Sequence, residues 1–129
     1  MLCFYHRFFA VIIIYALLPS FGYAQSSNIP CPSLDAIHNA AVAINEATYV
    51  NHSFIANTPP FAIHSGDFGW FAVVYNIQAV DQHEALSLAK LAMQSVRQMD
   101  SLYAINAGGI YVCGYDNRKV EVINNEDRY

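Results

Sequence analysis

The chain has 129 residues, is 55% apolar and carries a formal charge of −4 at neutral pH. From Gln25 onward its basic residues are Lys90, Arg97, Arg118, Lys119 and Arg128, set against all ten acids, a net charge of −5. Scattered cations in so acidic a chain argue against a nucleic-acid binder, which needs a clustered basic face, and against a polybasic membrane binder.

Residues 1–24 have the layout of a cleaved secretory signal. Arg7 and the free amine make a weakly basic start, and Phe8–Leu18 ("FFAVIIIYALL") is an uncharged apolar run that Pro19 breaks. Gly22 and Ala24 stand at the −3 and −1 positions of a small-residue cleavage site. A spanning helix needs roughly 20 apolar residues, about twice this run, so no membrane span is expected once the segment is removed. Gln25 becomes the first residue of a single small domain, 25–129, bound for the periplasm, the cell surface or the medium.

That domain keeps two cysteines, Cys31 and Cys113. No CxxC spacing is present, which weakens the rival readings of a metal pair or a thiol nucleophile. In an oxidising compartment the pair reads as one disulfide.

In chain order, "QSSNIPCP" (25–32) is expected as an extended lead-in. Ser33 caps a helix expected to reach about Ala47, with Leu34, Ile37, Ala41 and Ile44 on one face and Asp35 near the positive end. "YVNHSFIA" (49–56) is expected as one weak strand, and "NTPP" as a loop, because consecutive prolines remove ladder donors. "GDFGWFAVVYNIQ" (66–78) is the strongest strand. One face carries Phe68, Trp70, Ala72 and Val74, the other Phe71, Val73, Tyr75 and Ile77, so it is expected at the centre of a sheet covered on both sides.

A second helix is expected over Asp81–Met99, with Asp81 and Glu84 as an Asp variant of the capping box and Ala85, Leu88, Ala92, Val96 and Met99 along one stripe. Gly108 and Gly109 break the chain. "IYVCGY" and "KVEVI" alternate as strands joined by a tight hairpin at Asp116-Asn117, and a polar tail follows from Asn124. The expected order is αββαββ: a two-layer α+β domain, with helices packed on a four-stranded, mostly antiparallel sheet.

Chemistry is sparse. "HSGDFG" supplies His64, Ser65 and Asp67, but adjacent residues point in different directions and cannot form a relay. There is no GxSxG, HExxH, phosphate loop or calcium-loop spacing. None of the mature histidines, His38, His52, His64 and His83, pairs with another at helical spacing, so no helix-borne metal pair is expected. His38 and His83 read as solvated. His52 and His64 flank the Pro-Pro loop among Phe54, Phe61, Phe68 and Trp70, surroundings that suit a flat apolar ligand with an iron centre, such as haem. The plainer alternative is a hydrophobic loop packed on its own sheet. Asn51-His52-Ser53 also matches a glycosylation sequon.

The opening "CPSLDAIHNA", the stretch "GWFAVVYNIQAVDQHEALSLAKLAM" and the strand "YVCGY" together resemble the small exported bacterial proteins of unknown function found in Legionella and its relatives, some of which carry the label haemin-binding protein. The resemblance covers most of the mature domain through architectural features. It implies the same fold, the disulfide and an exported location, with haemin as a ligand, and it assigns no haem ligand to a particular residue.

Three readings follow. The first is a non-enzymatic exported binding module for haemin, another hydrophobic molecule or a protein surface, with His52, His64, Phe61 and Trp70 as its ligand-binding residues. The second is a secreted protein-interaction or inhibitory domain acting through a flat patch. The third is a hydrolase or other secreted enzyme using His64, Asp67 or both. Burial of Trp70, Phe61 and Phe54 discriminates among them: packed under the helices they are core, and lining a cleft they are a site.

Overall fold

A computed structural model describes residues 24–61 and 69–125; the expected signal segment, His64, Ser65, Asp67, Phe68 and most of the polar tail lie outside them. Nine elements follow in order: β1 (Ala24–Pro30), α1 (Leu34–Ala41), β2 (Glu46–Val50), β3 (Ser53–Asn57), β4 (Phe71–Ile77), α2 (Gln82–Gln94), β5 (Tyr103–Ala107), β6 (Ile110–Gly114) and β7 (Val120–Asn125). The strands form one sheet in the order β1-β5-β6-β7-β4-β3-β2, with every neighbouring pair antiparallel.

The expected four-stranded αββαββ arrangement is therefore wrong. The molecule is built mostly from a seven-stranded antiparallel sheet carrying two helices, and the extra strands come from three places. The lead-in is β1, pairing with β5. The single weak strand expected over 49–56 is a hairpin, β2 turning into β3 at Asn51-His52, where φ is +50° and +70°. Positive φ at both central residues is the two-residue turn whose twist matches the flanking strands. Asn-Gly would have signalled it plainly; Asn-His does not. Gly108 and Gly109, at φ +65° and +89°, make the same kind of turn between β5 and β6 rather than a simple break.

Both helices start where expected. The Ser33 hydroxyl accepts from the Ala36 amide, and the Asp81 carboxylate accepts from the Glu84 amide while Glu84 reaches back to the Val80 amide. Both end early. α1 stops at Ala41, which frees Glu46–Val50 for β2. α2 stops at Gln94 instead of Met99 because the β6–β7 connection competes for the backbone beyond it. The Asp116 carboxylate accepts from the Arg97 amide, the Asp116 amide donates to Gln98, and Met99 bridges to Tyr115.

α2 packs on β2, β3 and β4, with α1 against α2, all on one face of the sheet. Register places the core there. Ala104, Cys113, Val122 and Ala72 stand directly opposite one another across β5, β6, β7 and β4, and all are buried. Ala47, Ala56, Val74 and Val120 form the next such row. Alanines on the sheet meet alanines on the helices (Ala40, Ala41, Ala85 and Ala89, all buried), which lets backbones approach closely.

Cys31 and Cys113 are bonded, with Cα atoms 5.8 Å apart, joining the start of α1 to β6. A second tie lies beside the disulfide: the buried Tyr115 hydroxyl donates to the Pro32 carbonyl at 2.9 Å. Burial pushes the ionisation of that phenol well above its ordinary value.

Candidate functional site

The aromatic loop does not assemble into a cleft among the described residues. Trp70 is 2% exposed and belongs to the core cluster under the helices, with Phe61 and Phe54 packed against that cluster. Phe61 and Trp70 face each other as a backbone bridge, the Phe61 amide donating to Trp70 at 2.7 Å and the Trp70 amide to Phe61 at 2.9 Å. Gly69 has to be glycine here, because a Cβ would sit 2.5 Å from Cβ of Pro60.

His52 is elsewhere. It sits exposed at the β2–β3 turn, beyond the Phe54–Ile77 pair at the far end of β4, while Trp70 precedes β4. At about 3.3 Å per residue, the length of β4 puts roughly 20 Å of sheet between them. The ring nearest His52 in sequence is Phe54, which stacks edge-on against Tyr49 across the hairpin at 5.2 Å. His38, expected to be solvated, is half-buried, and its Nε2 bonds the Val96 carbonyl at 2.8 Å, tying α1 to the end of α2. His64 and Asp67 lie outside the described residues. Among those residues, no three His, Cys, Asp or Glu side chains come together as a metal site.

The face of the sheet turned away from the helices is the feature that spacing alone did not single out. An antiparallel sheet with one covered face ordinarily alternates apolar inward and polar outward. Here the outward row next to the Ala104–Ala72 row reads Ile105, Val112, Ile123 and Phe71, each directly opposite the next. Ile105 is 42% exposed, and Tyr103 and Ile110 on the same face are 48% and 38% exposed. On the same face Val73 of β4 is buried, at 7% exposure, and Tyr75 and Ile55 are half-buried. Both helices lie on the other face.

One local device shapes it. From Phe54 to Ala56, β3 advances two residues while β4 advances three, from Ile77 back to Val74. The extra residue is a bulge at Tyr75-Asn76, with Asn76 at φ +52°. It reverses the parity of β4: Trp70, Ala72 and Val74 face the helices, but so does Ile77, while Asn76 is exposed. Ile77 was expected on the opposite face from Trp70, and the bulge is why it is not.

Register also places polar residues on the outward face: Glu46 and Thr48 of β2, Ser53 and Asn57 of β3, and Glu121 of β7. Glu121 stands opposite Val73 and accepts from the Tyr75 hydroxyl. Partial burial, then the Glu121 charge and this bond, raise the ionisation of that phenol. None of the seven strands contains a lysine or arginine. The apolar part of the face lies on β4 to β7, and the β2–β3 side is polar. An outward-facing Ile, Val, Phe and Tyr on neighbouring strands is the sequence signal for it, legible only once the pairing of strands is known.

No family model matches the chain, and comparison with curated proteins and with solved structures gives no match. Function therefore rests on the chain's own geometry. Within the described residues no helix is long and apolar enough to cross a membrane.

Proposed function

We propose that this protein is an exported, disulfide-bonded interaction module without catalytic activity, which binds a protein surface through the outward face of its sheet. The observation that carries the reading is the outward apolar row Ile105, Val112, Ile123 and Phe71, exposed at Ile105 and half-buried at the other three, beside exposed Tyr103 and Ile110, on the face opposite the helices. Exposed apolar side chains clustered on one face mark interaction sites. Export is supported by the paired cysteines, which suit an oxidising compartment, and by the signal-like first 24 residues. The haemin reading asks for an axial histidine beside an aromatic wall; His52 lies at the opposite end of β4 from Phe61 and Trp70, and His64 lies outside the described residues, so His64→Ala is run beside His52→Ala in the haemin titration below.

Two titrations test the reading. In the first, anilinonaphthalene sulfonate is added to oxidised protein diluted to single chains. A saturable fluorescence rise, reduced severalfold in Ile105→Lys and Ile110→Lys, is expected; no rise, or one indifferent to both changes, would remove the face as the working surface. In the second, haemin is titrated and its Soret band followed. A stoichiometric shift that His52→Ala or His64→Ala weakens would overturn the protein-surface reading in favour of haem binding, and none is expected.

A further inference from the structure

We infer that the chain must be cut between Ala24 and Gln25 before β1 docks, and that the Cys31–Cys113 disulfide then closes this junction to the export peptidase. The inference rests on the export reading above and orders two steps within it: cleavage first, oxidation second. It is carried by where the expected junction falls in the sheet.

A peptidase takes its substrate as an extended strand whose backbone hydrogen-bonds to the enzyme. The bond to be cut must therefore be free of any other ladder. In the folded chain it is not. Ala24, Gln25 and Ser26 stand opposite Ala107, Asn106 and Ile105 of β5, so the register runs straight across the junction. Just beyond it, the Ser27 hydroxyl donates to the Ala104 carbonyl at 2.6 Å and the Cys31 amide donates to the Leu102 carbonyl at 2.9 Å. Only residues 19–23 separate the apolar run from β1, a reach of at most about 18 Å. A docked junction would therefore hold the whole domain close against the membrane that receives the run.

On its own β1 is weakly held. It is an edge strand paired on one side only, and its register slips between Ser26 and Pro30, where Pro30 offers no amide. End strands of this kind open far more often than the whole domain unfolds, and a protease cuts in proportion to the open fraction. The disulfide changes that balance. Cys31 directly follows β1 and is bonded to Cys113 on β6, two strands inward, while the Tyr115 hydroxyl holds the neighbouring Pro32 carbonyl. With its C-terminal end fixed, an opened β1 returns to β5 as a tethered strand at high effective concentration. Both cysteines are buried, so the bond, once made, is shielded from reductants in solution.

The chemistry of the two steps is separable. Cleavage adds water across the Ala24–Gln25 bond, leaving a carboxylate on Ala24 and an amine on Gln25. Oxidation takes two protons and two electrons from the thiols of Cys31 and Cys113, and a small disulfide such as oxidised glutathione accepts them, becoming two thiols. The cut chain begins at a residue already in register, so only the Ala24–Ala107 pair is lost.

Full-length precursor (residues 1–129), held in detergent micelles with a purified signal peptidase, tests the order; the N-terminus and mass of the product are followed over time. Reduced precursor, and a Cys31→Ser, Cys113→Ser double variant, are expected to yield a chain that begins at Gln25. Precursor first oxidised with glutathione disulfide is expected to be cut at least about tenfold more slowly, because the rate follows the open fraction. A flexible insert of about eight Gly and Ser residues between Ser26 and Ser27 carries the junction off the ladder, and should restore the reduced rate to the oxidised chain. Oxidised and reduced wild type cut within about twofold of one another, or an oxidised insertion chain that stays resistant, would overturn the inference and leave the export reading standing. No cut in any of these chains, or a cut at another bond, would overturn the export reading itself.

Discussion

Trp70, Tyr115 and His52 show how differently three ring-bearing side chains are used in one small molecule. Trp70 is core, and Trp70→Ala should destabilise by about 3 kcal/mol or more, the usual cost of emptying so large a volume, as read from a urea unfolding curve. Tyr115 holds Pro32 beside the disulfide. Tyr115→Phe keeps the ring and leaves a buried carbonyl without its donor, which should cost roughly 1–3 kcal/mol in the same measurement. His52 is the converse case. At φ +70°, a side chain bearing Cβ is strained by about 1 kcal/mol or more, so His52→Gly should raise stability by roughly that amount while creating the favoured Asn-Gly turn. An unchanged or lowered midpoint would mean that His52 makes a compensating contact. The structure supplies a reason for an unusual backbone at His52 that requires no ligand.

The elements owe their limits to short polar contacts. The Asp116 carboxylate is drawn to its charged form chiefly by the Arg97 amide, with further help from the Gln98 and Asn117 amides, and its ionisation is lowered accordingly from 3.8. A carboxyl lowered in the folded state contributes stability that is complete above its unfolded value and is lost as pH falls through the folded one. The melting temperatures of wild type and Asp116→Asn should therefore differ near neutral pH, begin to draw together below about pH 4, near the unfolded carboxyl, and converge only below the depressed folded value. A difference constant with pH would assign the effect to shape rather than charge. The β6–β7 connection also explains Gly114, where a Cβ would stand 2.6 Å from the Asp100 carboxylate that Arg118 holds. Asn76 performs the bulge that turns Ile77 inward. Asn76→Val, a branched residue forced to positive φ, should cost about 1–2 kcal/mol, whereas Asn76→Gly should fold as well as wild type.

At the scale of the molecule, a sheet covered on one side depends on long-range ties. The disulfide closes a loop of 82 residues in sequence separation, worth about 4 kcal/mol in the chain-entropy account. Cys31→Ala with Cys113→Ala should lower the unfolding free energy by an amount of that order, and both thiols should resist alkylation in unreduced wild type. Two of the pairings are long-range: β1 meets β5, and β4 meets β7. Such a topology closes long loops before its contacts form, so folding should be slow relative to helical domains of this size.

Local chemistry was legible directly. Helix starts at Ser33 and Asp81 follow from side chains that can accept their own backbone amides, and the strand character of residues 71–77 and 120–123 follows from β-branched and aromatic composition. The chemistry that pairs Cys31 with Cys113 needs only two cysteines and an oxidising destination. The sheet itself was not legible. Asn51-His52 hides a turn because positive φ is a property of the folded backbone, imposed by strand pairing on residues that do not advertise it. The weak strand β1 gains its ladder from β5, far away in sequence, and β2 and β5 each pair across a two-residue turn that their sequences do not announce as a hairpin. The helix ends were decided by competition from Asp116 and from β2. Which face of β4 is buried depended on a single bulged residue, Asn76. The bare outward row across β5, β6, β7 and β4 exists only once register sets residues 105, 112, 123 and 71 side by side. Periodicity along a chain encodes which residues alternate; only the closing of the sheet, a non-local event, decides which of them meet.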